Sequence, residues 1–219
     1  MPAGINRFIT LEGGEGGGKS TQVRLLADAL RAAGQTVCLT REPGGSPGAE
    51  EIRRLLVEGE PGRWTAETEA LLHFAARADH LARIIRPALT AGDWVLCDRF
   101  ADSTIAYQGY GHGLDLGWLQ ALRRQVVGAT EPGLTIILDL PVEAGLARAA
   151  RRQCGTSSQA EDRYERMDRS FHQRLRDGFL ALATEAPERC KVIDASHPVE
   201  AVAAQLRALV SSRFGLKLG

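Results

Sequence analysis

The chain has 219 residues, 27 basic and 27 acidic side chains, a formal net charge of +0 and 44% hydrophobic residues. That length suits one domain with its own core, and the even charge argues against a dedicated nucleic-acid binder or a polybasic membrane-surface protein, both of which carry a basic excess. Met1 to Arg7 lacks an apolar signal core and no apolar run reaches spanning length, so a cytoplasmic protein with no membrane and no nucleic-acid partner is expected.

Phe8 to Leu11 reads as a buried strand that the glycines from Gly13 to Gly18 break off. From Lys19 the apolar residues recur with helical spacing until Gly34, a natural C-cap. Thr36 to Thr40 predicts a second strand, and the turn residues Arg41 to Gly45 lead to a helix over Pro47 to Glu58. Thr65 to Ala91 predicts one long helix, bent where Pro87 enters. A strand follows at Asp93 to Cys97, a helix at Leu114 to Val127, a strand at Leu134 to Leu140 and a helix at Val142 to Arg152. Cys154 to Ala160 is small and polar and reads as a loop. A helix over Arg163 to Thr184, a strand at Lys191 to Ile193 and a helix over Pro198 to Ser212 complete the chain. Strands alternating with helices mean crossover units, hence a doubly wound five-stranded parallel α/β sheet in one domain spanning the chain. Cys38, Cys97, Cys154 and Cys190 are far apart, so neither a zinc site nor a disulfide framework is expected.

Gly13-Gly14-Glu15-Gly16-Gly17-Gly18-Lys19-Ser20 has the P-loop spacing G-x-x-x-x-G-K-[ST]. Glycines let successive backbone N–H groups face an anion at the positive end of the helix that Thr21 continues. Lys19 is placed to reach the β- and γ-phosphates, and the Ser20 hydroxyl to hold Mg²⁺. A glycine-rich turn matching by chance would lack the strand before it and the helix after it. The motif therefore points to ATP or another nucleoside triphosphate and leaves the acceptor open.

The D-x-x-G and N-K-x-D elements of GTPase switches are absent. The third strand instead runs into Asp98-Arg99-Phe100-Ala101-Asp102-Ser103-Thr104-Ile105-Ala106-Tyr107-Gln108. This segment resembles the D-R-[YF]-x-x-S-x-x-A-[YF] signature of thymidylate kinases at each position. Arg41 to Gly45 matches that family's R-E-P-G-G motif, and Leu71 to Arg77 nearly matches its L-L-F-x-A-x-R helix. With the P-loop and Asp162-Arg163-Tyr164-Glu165, the resemblance runs the length of the chain in the family's order.

The resemblance implies transfer of the ATP γ-phosphate to dTMP by a P-loop fold with a short lid at about residues 148–163. It implies that Arg99 clamps the dTMP phosphate, that Asp98 joins Ser20 at Mg²⁺, and that Arg41 and Arg53 are further phosphate contacts or plain surface ion pairs. Arg77 would donate to a thymine carbonyl, with Thr104 and Gln108 along the polar edge, and Ser103 would also belong to the substrate site. Tyr107 would close the space a ribose 2′-hydroxyl needs, and Glu15 would meet the sugar 3′-hydroxyl. The family's base-stacking phenylalanine, four residues before the arginine, is His73 here, and Phe74 lies one residue on, about 100° around a helix. Either His73 stacks, or the helix packs differently and Phe74 serves; Phe74 falling with Leu71 and Ala78 on the apolar side speaks for the first.

An acceptor phosphate whose second pKa is near ~6 is already a dianion and needs no general base, so the remaining task is cancelling charge between two anions. Some family members carry an arginine for this inside the P-loop, where this chain has Gly16. The bacterial arrangement takes it from the lid: Arg151 or Arg152, with Arg148 against the adenine, the loop around Ala195 as the facing wall, and Arg163 following on the substrate side. The family also implies a homodimer built on helices near the long third one. Two other readings compete, a P-loop kinase for a different acceptor and a nucleotide switch whose turnover ignores dTMP.

Overall fold

The computed structural model describes residues 6–60, 62–153, 164 and 166–219, with residues 152 and 153 by backbone alone. Five parallel strands, β1 (Phe8–Glu12), β2 (Val37–Arg41), β3 (Trp94–Asp98), β4 (Leu134–Asp139) and β5 (Cys190–Asp194), form a sheet in the order β2-β3-β1-β4-β5. The three middle strands are the most apolar and their residues are nearly all buried, whereas the edges β2 and β5 are only partly covered, as expected for a parallel sheet with helices on both faces.

Ile9 and Leu11 of β1 pack on one face with Leu26 and Leu30 of α1 (Lys19–Ala32) and with Val202, Leu206 and Val210 of α9 (Val199–Phe214). On the other face Phe8, Val95 and Cys97 meet Leu81, Ile85 and Phe100. A third cluster joins α3 (Ala66–His80), α6 (Leu116–Val127) and α8 (Arg169–Glu185) through Phe74, Leu119, Phe171 and Phe179. The remaining helices are α2 (Pro47–Val57), α4 (Arg86–Ala91), the short α5 (Ala101–Thr104) and α7 (Val142–Gln153).

The long helix expected from Thr65 to Ala91 is interrupted by a π-helical turn, Leu81–Ile85, after which Arg86 N–H donates to the Leu81 carbonyl. Proline lacks an N–H and its ring crowds the carbonyl four residues earlier, so the widened turn falls before Pro87 rather than at it. A second π-helical stretch, Ile105–Gly111, extends α5. The expected helix at 114 begins instead at Leu116, capped by Asp115, whose carboxylate accepts from Trp118 N–H. Likewise α8 begins at Arg169, capped by Asp168, rather than at 163. The loop expected over 154–160 lies outside the described residues. Among the described residues no helix is long and apolar enough to cross a membrane.

Candidate active site

A cleft of about 360 Å³ opens where β1 and β3 end and α1 begins, the crevice beyond the carboxyl ends of the strands where such sheets bind ligands. Gly16, Gly17, Gly18, Lys19, Ser20 and Thr21 form one wall and Asp98, Arg99 and Ser103 the facing one. Gly16 has φ +69°, and a Cβ there would lie 2.1 Å from the Gly145 carbonyl oxygen of α7. A side chain is therefore excluded at the position where an in-loop arginine would stand. Gly13 meets the same kind of limit, 2.4 Å from the Leu138 carbonyl oxygen. Lys19 Nζ donates to the carbonyls of Gly13 at 3.1 Å and Gly14 at 2.7 Å. Burial, with repulsion from Arg99, brings its ammonium down to about 8.

Ser20 Oγ donates to Asp98 Oδ2 at 2.5 Å, so the hydroxyl and the carboxylate meet at the mouth of the loop. Two hard oxygens side by side fit Mg²⁺, which typically takes one or two protein oxygens and completes its shell with water and phosphate. Among the described residues no cluster of three or more His, Cys, Asp or Glu suits a metal ion, so any Mg²⁺ there draws its remaining oxygens from water and phosphate.

Arg99 has φ +68° and leaves β3 with its N–H donating to the Leu11 carbonyl at 2.9 Å. The left-handed turn aims its guanidinium across the cleft, where Nη1 donates to the Gly13 carbonyl at 3.0 Å and Nη2 to Glu15 Oε1 at 2.8 Å. Tyr107 donates to the same Glu15 oxygen at 2.5 Å and presents its ring to the Arg99 guanidinium. Burial opposes ionisation of Glu15, but Arg99, Lys19 and the Tyr107 hydroxyl outweigh it and hold the carboxyl at about 2. Beneath the turn lies Glu12, a residue that sequence reasoning missed. Its carboxylate accepts from Phe100 N–H at 2.8 Å and from Ser103 Oγ at 2.5 Å, and burial together with Asp102 pushes it up to about 7. Asp102, inside the signature segment, turns away from the cleft and pairs with Arg123 at 2.8 Å and Arg189 at 2.6 Å.

The far end of the cleft is polar. Arg77, 2% exposed, donates from Nε to Glu42 at 2.8 Å and from Nη2 to the Phe100 carbonyl at 3.1 Å and Thr104 at 3.0 Å. Among the described residues its Nη1 is buried without a partner, as is Oε1 of Gln108. The two side chains that carry this unmatched donor and this unmatched acceptor both line the cleft. Glu42 also binds His80 Nδ1 at 3.0 Å, which braces the arginine from behind; its place in the R-E-P-G-G motif was the available signal. His73 lines the cleft, whereas Phe74 is buried in the core with its ring 5.0 Å from the Arg77 guanidinium. Leu71 and Ala78 do not share that buried side; both are exposed, because the apolar pattern covers two faces of the helix. Tyr164 also lines the cleft and meets His73 Nε2 at 3.2 Å.

Arg41 and Arg53 line the cleft as well. Arg41, half exposed, pairs with Glu50 at 3.1 Å, and Arg53 Nη1 donates to the Pro43 carbonyl at 2.7 Å. Behind the P-loop, Arg148 of α7 donates to the carbonyls of Ala195 at 2.8 Å and Ser196 at 3.2 Å. Arg151 is exposed in the last turn of α7. The side chain of Arg152, and Arg163, lie outside the described residues.

The sequence pattern of the family described as thymidylate kinase matches residues 11–206. The thymidylate kinase of Caulobacter vibrioides is 54% identical over 209 residues, 95% of this chain and 98% of that one. That of Ruegeria pomeroyi is 52% identical over 208 residues, covering 95% and 96%. The crystal structure of thymidylate kinase from Ehrlichia chaffeensis superposes with a TM-score of 0.75 at 35% identity, covering 93% of this chain and 97% of that one.

Proposed function

Because this chain belongs to the thymidylate kinase family and phosphorylates dTMP to dTDP on the route to dTTP, we propose that its cleft joins ATP and dTMP end to end between the P-loop and the Asp98–Arg99 strand tip. Lys19 exchanges the carbonyls of Gly13 and Gly14 for β- and γ-phosphate oxygens. Arg99 releases Gly13 and grips the dTMP phosphate with a two-pronged contact. Ser20 and Asp98 would hold Mg²⁺, whose charge, when bound, offsets that of the phosphates. The acceptor dianion attacks in line with no proton to remove, so orientation and charge cancellation carry the rate.

Arg77 Nη1 donates to a thymine carbonyl and Gln108 Oε1 accepts from the ring N–H beside it, with Thr104 on the same edge. His73 lies against the base face. Glu15 meets the sugar 3′-hydroxyl, and Tyr107, fixed by its bond to Glu15, occupies the room a 2′-hydroxyl would need. Since Gly16 has no room for a side chain, the remaining cation comes from the lid at 148–163, as Arg151 or Arg152, with Arg148 beside the adenine and Arg163 on the substrate side. Closing the lid excludes water and limits wasteful hydrolysis. The protein works in the cytoplasm as a homodimer. Leu55 of α2, Leu71 of α3 and Leu116 of α6 are exposed on helices near or in contact with α3, and Ala75, Ala78 and Ala82 extend the Leu71 stripe.

The observation that carries this reading is the meeting of the two walls: Ser20 with Asp98 at 2.5 Å and Arg99 with Gly13 at 3.0 Å. A panel of nucleoside monophosphates with ATP and Mg²⁺, read by ADP release, tests it. Turnover of dTMP well above dCMP and AMP is expected, and ATP turnover indifferent to dTMP refutes it.

A further inference from the structure

We propose that Glu69, a residue that lines no part of the cleft, sets the choice between thymine and cytosine by holding the Gln108 side-chain amide in one orientation. The inference rests on the reading that Arg77 and Gln108 face the edge of the base.

Glu69 sits on α3, 2% exposed, two turns before Arg77. As a carboxylate it accepts hydrogen bonds and donates none. Tyr164 therefore donates its only hydroxyl hydrogen to Glu69 Oε2, at 3.1 Å, and the tyrosine oxygen is left as an acceptor. Gln108 Nε2 lies 3.4 Å from both that carboxylate oxygen and the Tyr164 oxygen. The reversed amide would set Oε1 against a carboxylate oxygen and a hydroxyl oxygen whose hydrogen is already committed. That arrangement forfeits two acceptors and adds repulsion. Oε1 is thus turned away from Glu69 and Tyr164, and among the described residues it is buried without a partner, on a side chain that lines the cleft.

The consequence is a fixed pattern of one donor, Arg77 Nη1, and one acceptor, Gln108 Oε1. Thymine presents a carbonyl acceptor and a ring N–H donor, which matches. Cytosine presents an amino donor and a bare ring nitrogen, the reverse at both positions. Arginine cannot invert, but a glutamine amide can, so the acceptor needs an outside group to hold it. Glu69 is that group, and it acts as a positioning residue. The same logic sets His73: with the Tyr164 hydrogen given to Glu69, His73 Nε2 at 3.2 Å is the donor to the tyrosine oxygen.

Steady-state kinetics of the purified full-length protein with dTMP and dCMP at saturating ATP test this. Glu69→Gln keeps the shape and lets residue 69 present an amide hydrogen to Oε1. The ratio of kcat/KM for dTMP to that for dCMP should fall by about tenfold or more, through a raised KM for dTMP, with the KM for ATP unchanged. A purely structural role would lower both substrates alike and leave the ratio intact, and that result overturns the proposal. Gln108→Leu separates the two levels: if it shifts the ratio and Glu69→Gln does not, the positioning role fails while the base-edge reading stands. If Gln108→Leu leaves the ratio unmoved, the base-edge reading itself fails. Should Glu69→Gln not fold, Tyr164→Phe removes one of the two acceptors holding Nε2 and should lower the ratio by roughly threefold; an unchanged ratio there overturns the proposal equally.

Discussion

Replacing Arg77 by lysine separates the binding of the base from the binding of charge. Lysine keeps a cation beside Glu42, which avoids the cost of a buried carboxylate with no counter-charge. It loses the planar fork that reaches Phe100 O at 3.1 Å and Thr104 at 3.0 Å, and it loses the unmatched Nη1. Two hydrogen bonds from a charged guanidinium, of ~1.5–3 kcal/mol each, put the stability loss at about 3–6 kcal/mol. At 2–4 °C per kcal/mol for a chain of this size, Tm should fall by roughly 6–24 °C. A thymine carbonyl left unpaired in a closed site costs a further ~1–3 kcal/mol in binding, so kcat/KM for dTMP should drop about tenfold to a hundredfold. The loss should appear mainly as a raised KM for dTMP, because the contact exists equally before and during transfer. Coupled ADP release with dTMP varied at saturating ATP, alongside thermal melting, reads both quantities. A lowered Tm with the dTMP KM within twofold of the starting protein would show that Arg77 only braces Glu42, and the base-edge assignment would be wrong.

Arg99→Ala should raise the dTMP KM by about tenfold to a hundredfold while the ATP KM moves little, since a charge-assisted contact of ~1.5–3 kcal/mol is lost at the acceptor phosphate alone; equal effects on both nucleotides in a two-substrate titration would contradict that role. Gly16→Ala forces a left-handed non-glycine residue and a 2.1 Å approach to the Gly145 carbonyl. The combined cost is on the order of 2–4 kcal/mol, visible as a clear drop in Tm, and an unchanged Tm would remove the steric argument for a lid cation. Binding of ATP should take up protons near pH 8. Lys19 is held down to about 8 in the free protein, and adjacent phosphates favour its charged form. Roughly half a proton should therefore enter at pH 8 and almost none at pH 6.5. Calorimetry in buffers of different ionisation enthalpy measures this, and binding heats indifferent to buffer at pH 8 refute it.

Much of the molecule was legible in the residues themselves. The P-loop spacing after an apolar strand dictated an anion cradle, and alternating strands and helices dictated the parallel sheet, because both depend on local backbone rules and short-range periodicity. The Asp98 to Gln108 segment was recognisable as a unit through its resemblance to the thymidylate kinase signature. Helix boundaries near Pro87 and Asp115 were less legible, since a π-turn and an Asx cap compete with the simple 3.6-residue repeat.

Only the tertiary structure decided which side chains meet. His73 rather than Phe74 lines the cleft because the core formed with α6 and α8 takes Phe74 for itself. Gly16 is barred from carrying a side chain by Gly145, 129 residues further along the chain. Glu12 and Glu69 carry no mark in the linear sequence that separates a buried orienting carboxylate from a solvated one, and Glu42 carries only its place in the R-E-P-G-G motif. Their partners, Phe100, Arg77 and Tyr164, arrive from other elements once the chain has closed. Local rules determined the glycine loop and the place of its lysine, whereas the donor and acceptor pattern of Arg77 and Gln108 comes from hydrogen bonds that exist only across the packed fold.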